Sequence, residues 1–205
     1  MFGYVLIACW SAFAGYWLLA SFGVKKAAET QGTRSIFWFR IMQVANFVLL
    51  AGVIPYRPFN LILWHSAGTS LIGAALCSLG TVFAIWARKT LAANWSSSVT
   101  FKEHHELITH GPYRFVRHPI YTGLLMMMLG TVLVLGRLDC LVALISRGLL
   151  YIFKIRREES VMQKHFPEQY SAYQARTGAL LPWPGNASYY RHDRIESTKS
   201  GNSTT

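Results

Sequence analysis

The chain alternates between long runs without charge and short stretches where charges crowd together. Met1 to Val24 carries no charged residue, and neither do positions 41–56, 58–87 or 119–136. A fifth run, 138–153, is interrupted only by Asp139 near its start and by Arg147. A bilayer core of about 30 Å takes roughly 20 apolar residues at 1.5 Å rise. The first and third runs reach that length unaided. The second reaches it by taking in Ile36 to Phe39 across Arg40, whose long side chain can extend to the interface. The last two are shorter and separated by Arg137, which predicts a tight helical hairpin. The pattern therefore predicts an all-α integral membrane protein of about five transmembrane helices, with that tight hairpin toward the C-terminus. The first helix is expected to be retained, since no basic stretch precedes it and no small-residue cleavage site follows.

Charge sets the orientation. Seventeen of the twenty Lys and Arg fall in segments 25–40, 88–118 and 154–205, with only Arg57 and Arg137 on the other side and Arg147 within a span. By the positive-inside rule those three segments are cytoplasmic, as is the C-terminus, and the N-terminus is outside. The net charge of +11 at first suggests a nucleic-acid partner. Yet only 14% of residues are charged and 52% are hydrophobic, with mean hydropathy +0.27, against about 25% charged in a soluble globular protein. The excess charge is thus a topology label and a lipid-headgroup contact, with no nucleic acid and no obligate protein partner expected. A bacterial inner membrane is the expected location.

Three regions follow: a transmembrane scaffold at 1–87, a region at 88–184 that combines a cytoplasmic loop, the hairpin and a C-terminal helix, and a polar tail at 185–205 whose Ser, Thr and Asn content predicts disorder. In the third span Ser66, Ser70, Ala74 and Ser78 recur every four residues, beside Gly73, Cys77 and Thr81. Small residues at this spacing predict close helix packing. His65 is expected at the outer interface. Cys9, Cys77 and Cys140 fall within spans without ligand spacing, so neither a disulfide nor a metal site is expected. The Met126–Met128 triplet reads as packing or a lipid-facing surface.

Chemistry concentrates in two segments flanking the hairpin, Asn94–Gly123 and Lys154–Trp183. Gly111-Pro112 predicts a turn that places Tyr113. His118-Pro119 predicts a helix start, with Pro at the first helical position and His118 held extended. The free N–H groups of that first turn and the helix dipole favour an anion. Gly123, one turn on, is expected to leave room for a ligand, and Arg114 and Arg117 add positive charge. A plain basic stop before a span fits the same spacing. In the second segment Arg147, Tyr151, Lys154 and Glu158 share one helical face. An ionisable residue within a span is expected to face the protein interior, although Lys154 and Glu158 also fit a simple i,i+4 pair and Arg147 also fits a balance with Asp139.

The ordered set HGPYRFVRHPIYTG, hydrophobic hairpin, then Glu158-Glu159 resembles the RHPxY-hydrophobic-EE signature of isoprenylcysteine carboxyl methyltransferases and their phospholipid methyltransferase relatives. The upstream NWS and HxLxTxG, and the downstream FxxxYxxY and LLP, are similar to bacterial members, so the resemblance spans about Thr90 to Trp183. It implies S-adenosyl-L-methionine as cofactor without a Rossmann domain, and indeed no GxGxxG follows a strand here. Carried over by position, it implies that His105, Glu106, Leu107, Ile108 and Tyr113 line the cofactor. His118, Pro119, Ile120 and Tyr121 would form a cradle at the helix start. Glu158, with Glu159 beside it, would meet a cofactor hydroxyl or amine, and Lys154 would contact the acceptor. Trp95, Tyr113 and Tyr121 offer aromatic faces to a sulfonium.

A lipophilic or lipidated acceptor is implied, with a prenylcysteine-like carboxylate favoured and held by Lys154, with Arg147 a further candidate. An amine or thiol acceptor would need a base, for which His105 is the candidate. Three positions depart from the family pattern: Lys154 in place of Arg, Phe166-Pro167 in place of Phe-Gly, and Arg147 where relatives are apolar. The rival readings are a phospholipid amine methyltransferase, a nicotinamide-dependent membrane reductase of similar architecture, and a non-catalytic membrane protein.

Overall fold

Small residues determine how the helices meet. The computed structural model describes residues 1–21, 41, 61–64, 66–91 and 107–182. Among them the regular elements are helical: α1 Phe2–Ser21, α2 Ala67–Leu91, α3 Pro119–Leu135, α4 Leu138–His165 and α5 Pro167–Arg176, with a 3-10 turn at Gly111–Arg114. Helices α1 and α2 are long and apolar enough to cross a bilayer. At 17 residues α3 is a shorter apolar helix, about 26 Å by helical rise. The expected second span, His65 and the polar tail lie outside the described residues.

The widest contact joins α2 to α3, which run antiparallel. Gly73 and Gly80 on α2 face Gly130 and Gly123 on α3, so closely that a Cβ built at Gly73 would lie 2.6 Å from the Gly130 carbonyl oxygen. A Cβ at Gly80 would lie 2.6 Å from that of Gly123. Both pairs are spaced by seven residues, close to two full turns, so they lie on one face of each helix. The seam therefore runs along Gly73, Cys77, Gly80 and Ala84, the ridge beside the Ser66–Ser78 row. Ser70 and Ala74 from that row are buried, but Ser66 is exposed. Gly123 has a different role from the one expected. Its missing side chain admits Ala84, whose Cβ would be 2.8 Å from an added Cβ, and leaves no space for a ligand. Thr81 and Thr131 turn their hydroxyls back onto the Cys77 and Met127 carbonyls, both at 2.9 Å, which satisfies these two groups within their own helices.

Helix α1 runs parallel to α2. Cys9 Sγ lies 3.5 Å from Ser78 Oγ, and toward the other end the Arg88 guanidinium donates to the Ala20 carbonyl at 2.8 Å. That cation caps the carbonyl end of α1, where the helix dipole favours it. Trp10 Nε1 donates to Thr131 Oγ1 at 3.1 Å, tying α1 to α3. Leu6, Cys9, Phe13, Ala74, Cys77, Ala84, Met127 and Val134 form the shared core. The Met triplet is thus largely packing, and the three cysteines are buried and free.

The hairpin forms as expected. Gly136 takes φ 62° and caps α3, its N–H donating to the Val132 carbonyl at 2.8 Å. Residues 61–64 pair across the turn, with Leu63 N–H donating to the Gly136 carbonyl at 2.7 Å and Leu138 N–H to that of Leu61 at 3.0 Å. Asp139 is held by Arg137, whose Nε donates at 3.1 Å, and its carboxylate also accepts the Cys140 N–H. Helix α4 then continues 28 residues without a break, well past the apolar run, and carries the hairpin's direction into the polar region. Phe166-Pro167 ends it, with Pro opening α5.

Candidate active site

The site forms where the start of α3 meets the polar half of α4. Gly111 at φ 61° turns the chain, and Pro112 begins the 3-10 turn that buries the Tyr113 ring against Ala87 and Ile120, with Ile108 alongside. Tyr113 donates its hydroxyl to the Ala87 carbonyl at 3.5 Å, and its own carbonyl accepts the Tyr173 hydroxyl at 2.6 Å. Burial pushes the Tyr113 phenol well above its ordinary value, so it stays a neutral donor.

The segment after α5 folds back beside the start of α3. Val116 and Gly178 form a parallel bridge, Arg117 N–H donates to the Gly178 carbonyl at 2.9 Å, and His118 N–H to that of Ala179 at 3.0 Å. Thr122 Oγ1 adds a bond to the Leu180 carbonyl at 2.7 Å. His118 is not fully extended: at φ −122° and ψ 61° it lies outside the β region, because its N–H pairs with this returning segment while Pro119 starts the helix.

Two carboxylates anchor the arrangement. Glu159 Oε1 accepts from Arg117 Nε at 2.7 Å and faces His118 Nε2 at 3.1 Å, while its Oε2 accepts from Gln174 Nε2 at 3.0 Å. Arg117 also donates to the carbonyls of Gln174 and Thr177. Glu158 Oε1 accepts the Tyr121 hydroxyl at 2.6 Å and lies 3.8 Å from Lys154 Nζ, and its Oε2 is 3.4 Å from His118 Nδ1. His118 thus has a carboxylate at each ring nitrogen, an arrangement that the doubly protonated imidazolium satisfies best. An aromatic stack runs from here toward the membrane. His118 and Tyr121 stack at 5.6 Å, and Tyr121 and Tyr151 at 4.4 Å. The Arg147 guanidinium lies 5.7 Å from the Tyr151 ring centre and Lys154 Nζ 5.2 Å from that of Tyr121.

Burial opposes every charge here, and the neighbours outweigh it at both carboxylates. Burial raises the Glu159 carboxyl, but His118 and Arg117 bring it down to about 2. Burial likewise works against Glu158, yet His118, Lys154 and Tyr121 hold it below its ordinary value. Burial disfavours the His118 imidazolium, but both glutamates hold it above the ordinary value. For Lys154, burial dominates and Arg147 adds to it, so the ammonium is easier to neutralise despite Glu158.

These directions predict a pH optimum for stability. The glutamates are lowered, so their contribution is full above the ordinary carboxylate value of about 4.3 and lost as pH falls toward 2. His118 is raised, so its contribution is full below about 6.5 and lost as pH rises through its folded value. Thermal unfolding of the purified protein is expected to peak between about pH 5 and 6.5. His118→Gln should flatten the alkaline side of that profile; an unchanged alkaline slope would show that His118 does not carry it.

The structure brings together Tyr113, His118, Pro119, Ile120, Tyr121, Lys154, Glu158 and Glu159, with Arg147 at the membrane end of the stack. Leu107 and Ile108 are partly buried beside this group. His105, Glu106 and Trp95 lie outside the described residues. Sequence reasoning missed Gln174, Thr122 and the returning segment Thr177–Leu180. Thr122 stood within the quoted motif, Gln174 acts through its side-chain amide on Glu159, and the returning segment acts through backbone carbonyls that leave little trace in residue type. The groups left over suit a methionyl cofactor: the α3 N-terminus complements a carboxylate, Glu158 an ammonium or hydroxyl, and Tyr121 a sulfonium, while Arg117 and His118 are taken up in holding the two glutamates.

Helices with a charged cluster at one end of a membrane hairpin define an integral membrane protein of all-α class. A profile of the phospholipid methyltransferase family matches residues 69–169. The chain is 32% identical over 117 residues to a protein-S-isoprenylcysteine O-methyltransferase of Tribolium castaneum, covering 56% of this chain and 42% of the relative. It is 28% identical over 144 residues to the nickel-cobalt-cadmium resistance protein NccN of Alcaligenes xylosoxydans xylosoxydans, covering 68% and 61%. It also resembles the solved structure of the eukaryotic intramembrane Ras methyltransferase, isoprenylcysteine carboxyl methyltransferase, with TM-score 0.55 and 27% identity over 73% of this chain and 53% of that one. The chain is thus similar, over about half its length, to the phospholipid methyltransferase family and to isoprenylcysteine carboxyl methyltransferases, which are membrane proteins. It spans about half the length of the relatives it matches.

Proposed function

We propose that this protein is an S-adenosyl-L-methionine-dependent methyltransferase acting on a lipophilic acceptor, with a prenylcysteine-like carboxylate as the favoured class. The observation that carries this reading is the clamp of Glu158 and Glu159 around His118, closed by Arg117 and Tyr121, at the polar end of a membrane hairpin. In this reading His105, Glu106, Leu107, Ile108, Tyr113, His118, Pro119, Ile120, Tyr121, Glu158 and Glu159 surround the cofactor, which supplies an electrophilic methyl group on a sulfonium. The five-span arrangement is supported by the parallel course of α1 and α2. The charge asymmetry supports a cytoplasmic site, and a bacterial inner membrane is the expected setting. Membrane lipids and a lipidated or small lipophilic substrate are the expected partners.

A carboxylate acceptor is already the nucleophile at neutral pH. What it needs from the protein is alignment and exclusion of water. Lys154, with its ammonium at the Tyr121 ring, holds the acceptor in this scheme. Charge is lost as carboxylate and sulfonium react, and a site at the membrane edge is drier than cytosol, which favours that loss. Amine methylation of a phospholipid is the second reading, favoured by the family profile, and there His105 serves as base.

Calorimetric titration with S-adenosylhomocysteine tests the cofactor assignment. Saturable binding is expected, and none at millimolar ligand would remove the methyltransferase reading. Lys154→Ala is expected to raise KM for a prenylcysteine acceptor about tenfold or more while leaving S-adenosylhomocysteine affinity within about twofold. Equal loss of both would place Lys154 at the cofactor instead.

A further inference from the structure

Arg147 belongs to the apolar run of α4, yet it is only 5% exposed, facing the protein rather than lipid. It lies seven residues before Lys154 on the same helical face, about 10 Å along the axis. Both cations close on the same pair of rings: Arg147 on Tyr151, Lys154 on Tyr121, with the rings stacked at 4.4 Å. The nearby Asp139 carboxylate is held by Arg137. Among the described residues of the site, the cations Arg117, Arg147, Lys154 and the His118 imidazolium outnumber the carboxylates Glu158 and Glu159. A methionyl sulfonium cofactor, with one carboxylate, one ammonium and one sulfonium, adds a further positive charge.

A buried site of this sign attracts an anion and repels a second cation. We infer that Arg147 is an acceptor-specificity residue: it draws the anionic head of a lipophilic carboxylate to the Tyr121–Tyr151 stack and disfavours an ammonium head group. This deepens the methyltransferase reading and rests on it for the identity of the acceptor site. The guanidinium acts at a distance of several ångströms through partly dry protein, where one charge is worth about a tenfold change in affinity. Lys154 at the polar end and Arg147 at the bilayer end would together form a cationic track for the acceptor. The lipid tail then stays on the membrane side and the carboxylate points toward the polar end of α4.

Equilibrium binding to the full-length protein in detergent tests this without requiring turnover. The probes are N-acetyl-S-farnesylcysteine and its carboxamide, which differ only in the negative charge. The wild-type protein is expected to prefer the carboxylate about a hundredfold, with Lys154 and Arg147 each contributing about tenfold, and Arg147→Gln to reduce that preference about tenfold. Arg147→Lys should restore most of it. Affinity for S-adenosylhomocysteine should change less than twofold in both variants, which also shows that they are folded. An undiminished preference in Arg147→Gln, or no preference in the wild type, overturns the proposal. Failure of the wild type to bind S-adenosylhomocysteine instead overturns the methyltransferase reading, whatever the probes show.

Discussion

Glu158→Gln is expected to weaken S-adenosylhomocysteine binding by at least about a hundredfold, leaving no measurable heat at ordinary calorimetric concentrations. The reason lies in what surrounds the carboxylate. Glu158 accepts the Tyr121 hydroxyl at 2.6 Å, and His118 and Lys154 approach it within 3.4 and 3.8 Å. Its side chain is 21% exposed, enough to meet a ligand from the polar side. An amide keeps the shape but loses the charge that offsets two cations, and breaking a buried ion pair costs about 3–5 kcal/mol. Glu159→Gln should act differently. Both oxygens of Glu159 are taken by protein donors, so the first loss there is anchorage of Arg117 and of the segment after α5. A matched pair of titrations, with thermal unfolding alongside, separates the two. Unchanged affinity in Glu158→Gln would show that the cofactor assignment at this carboxylate is wrong.

Much of this site was legible in the sequence because helices repeat. The offsets from Arg147 to Tyr151, Lys154 and Glu158 put four unusual residues on one face, and α4 is continuous through all of them. Hydropathy alone ended that helix near Phe153, since apolar runs report the bilayer and not the helix that leaves it. The Pro119 helix start and the Gly136-Arg137 turn were legible for a local reason: proline and glycine restrict or release backbone angles regardless of distant partners. Gly123 was misread because a missing side chain admits either a ligand or another helix, and only the position of Ala84 decides between them. The segment Thr177–Leu180 was not legible as part of the site. It binds through carbonyl oxygens, which every residue has.

The seam between α2 and α3 gives the largest expected effect on folding. Gly130→Ala should lower stability by about 2 kcal/mol or more, and Gly130→Leu should leave no monodisperse protein after extraction. A Cβ at Gly130 would press on the Gly73 carbonyl, lie 2.6 Å from the Cys77 amide nitrogen, and lie 2.9 Å from the Cys77 Cβ. Two of these are backbone atoms in a regular helix, so they cannot turn aside as a flexible side chain would. Relief requires the helices to separate, and separation opens the dispersion contacts that hold helices together in lipid. Gly15 on α1 is the control, because a Cβ there meets nothing within 4 Å, and Gly15→Ala should be neutral. The buried free thiols of Cys77 and Cys140 provide the readout, since a thiol-reactive dye reports their exposure on heating. The site depends on this seam as well, because α3 carries His118, Pro119 and Tyr121 at its start. Gly123 packs on Ala84 only four residues after Pro119, so displacing α3 displaces the glutamate clamp with it. Gly130→Ala is therefore expected to reduce S-adenosylhomocysteine affinity together with melting temperature. A variant that melts early but binds with wild-type affinity would show that the clamp is held by α4 and the returning segment alone.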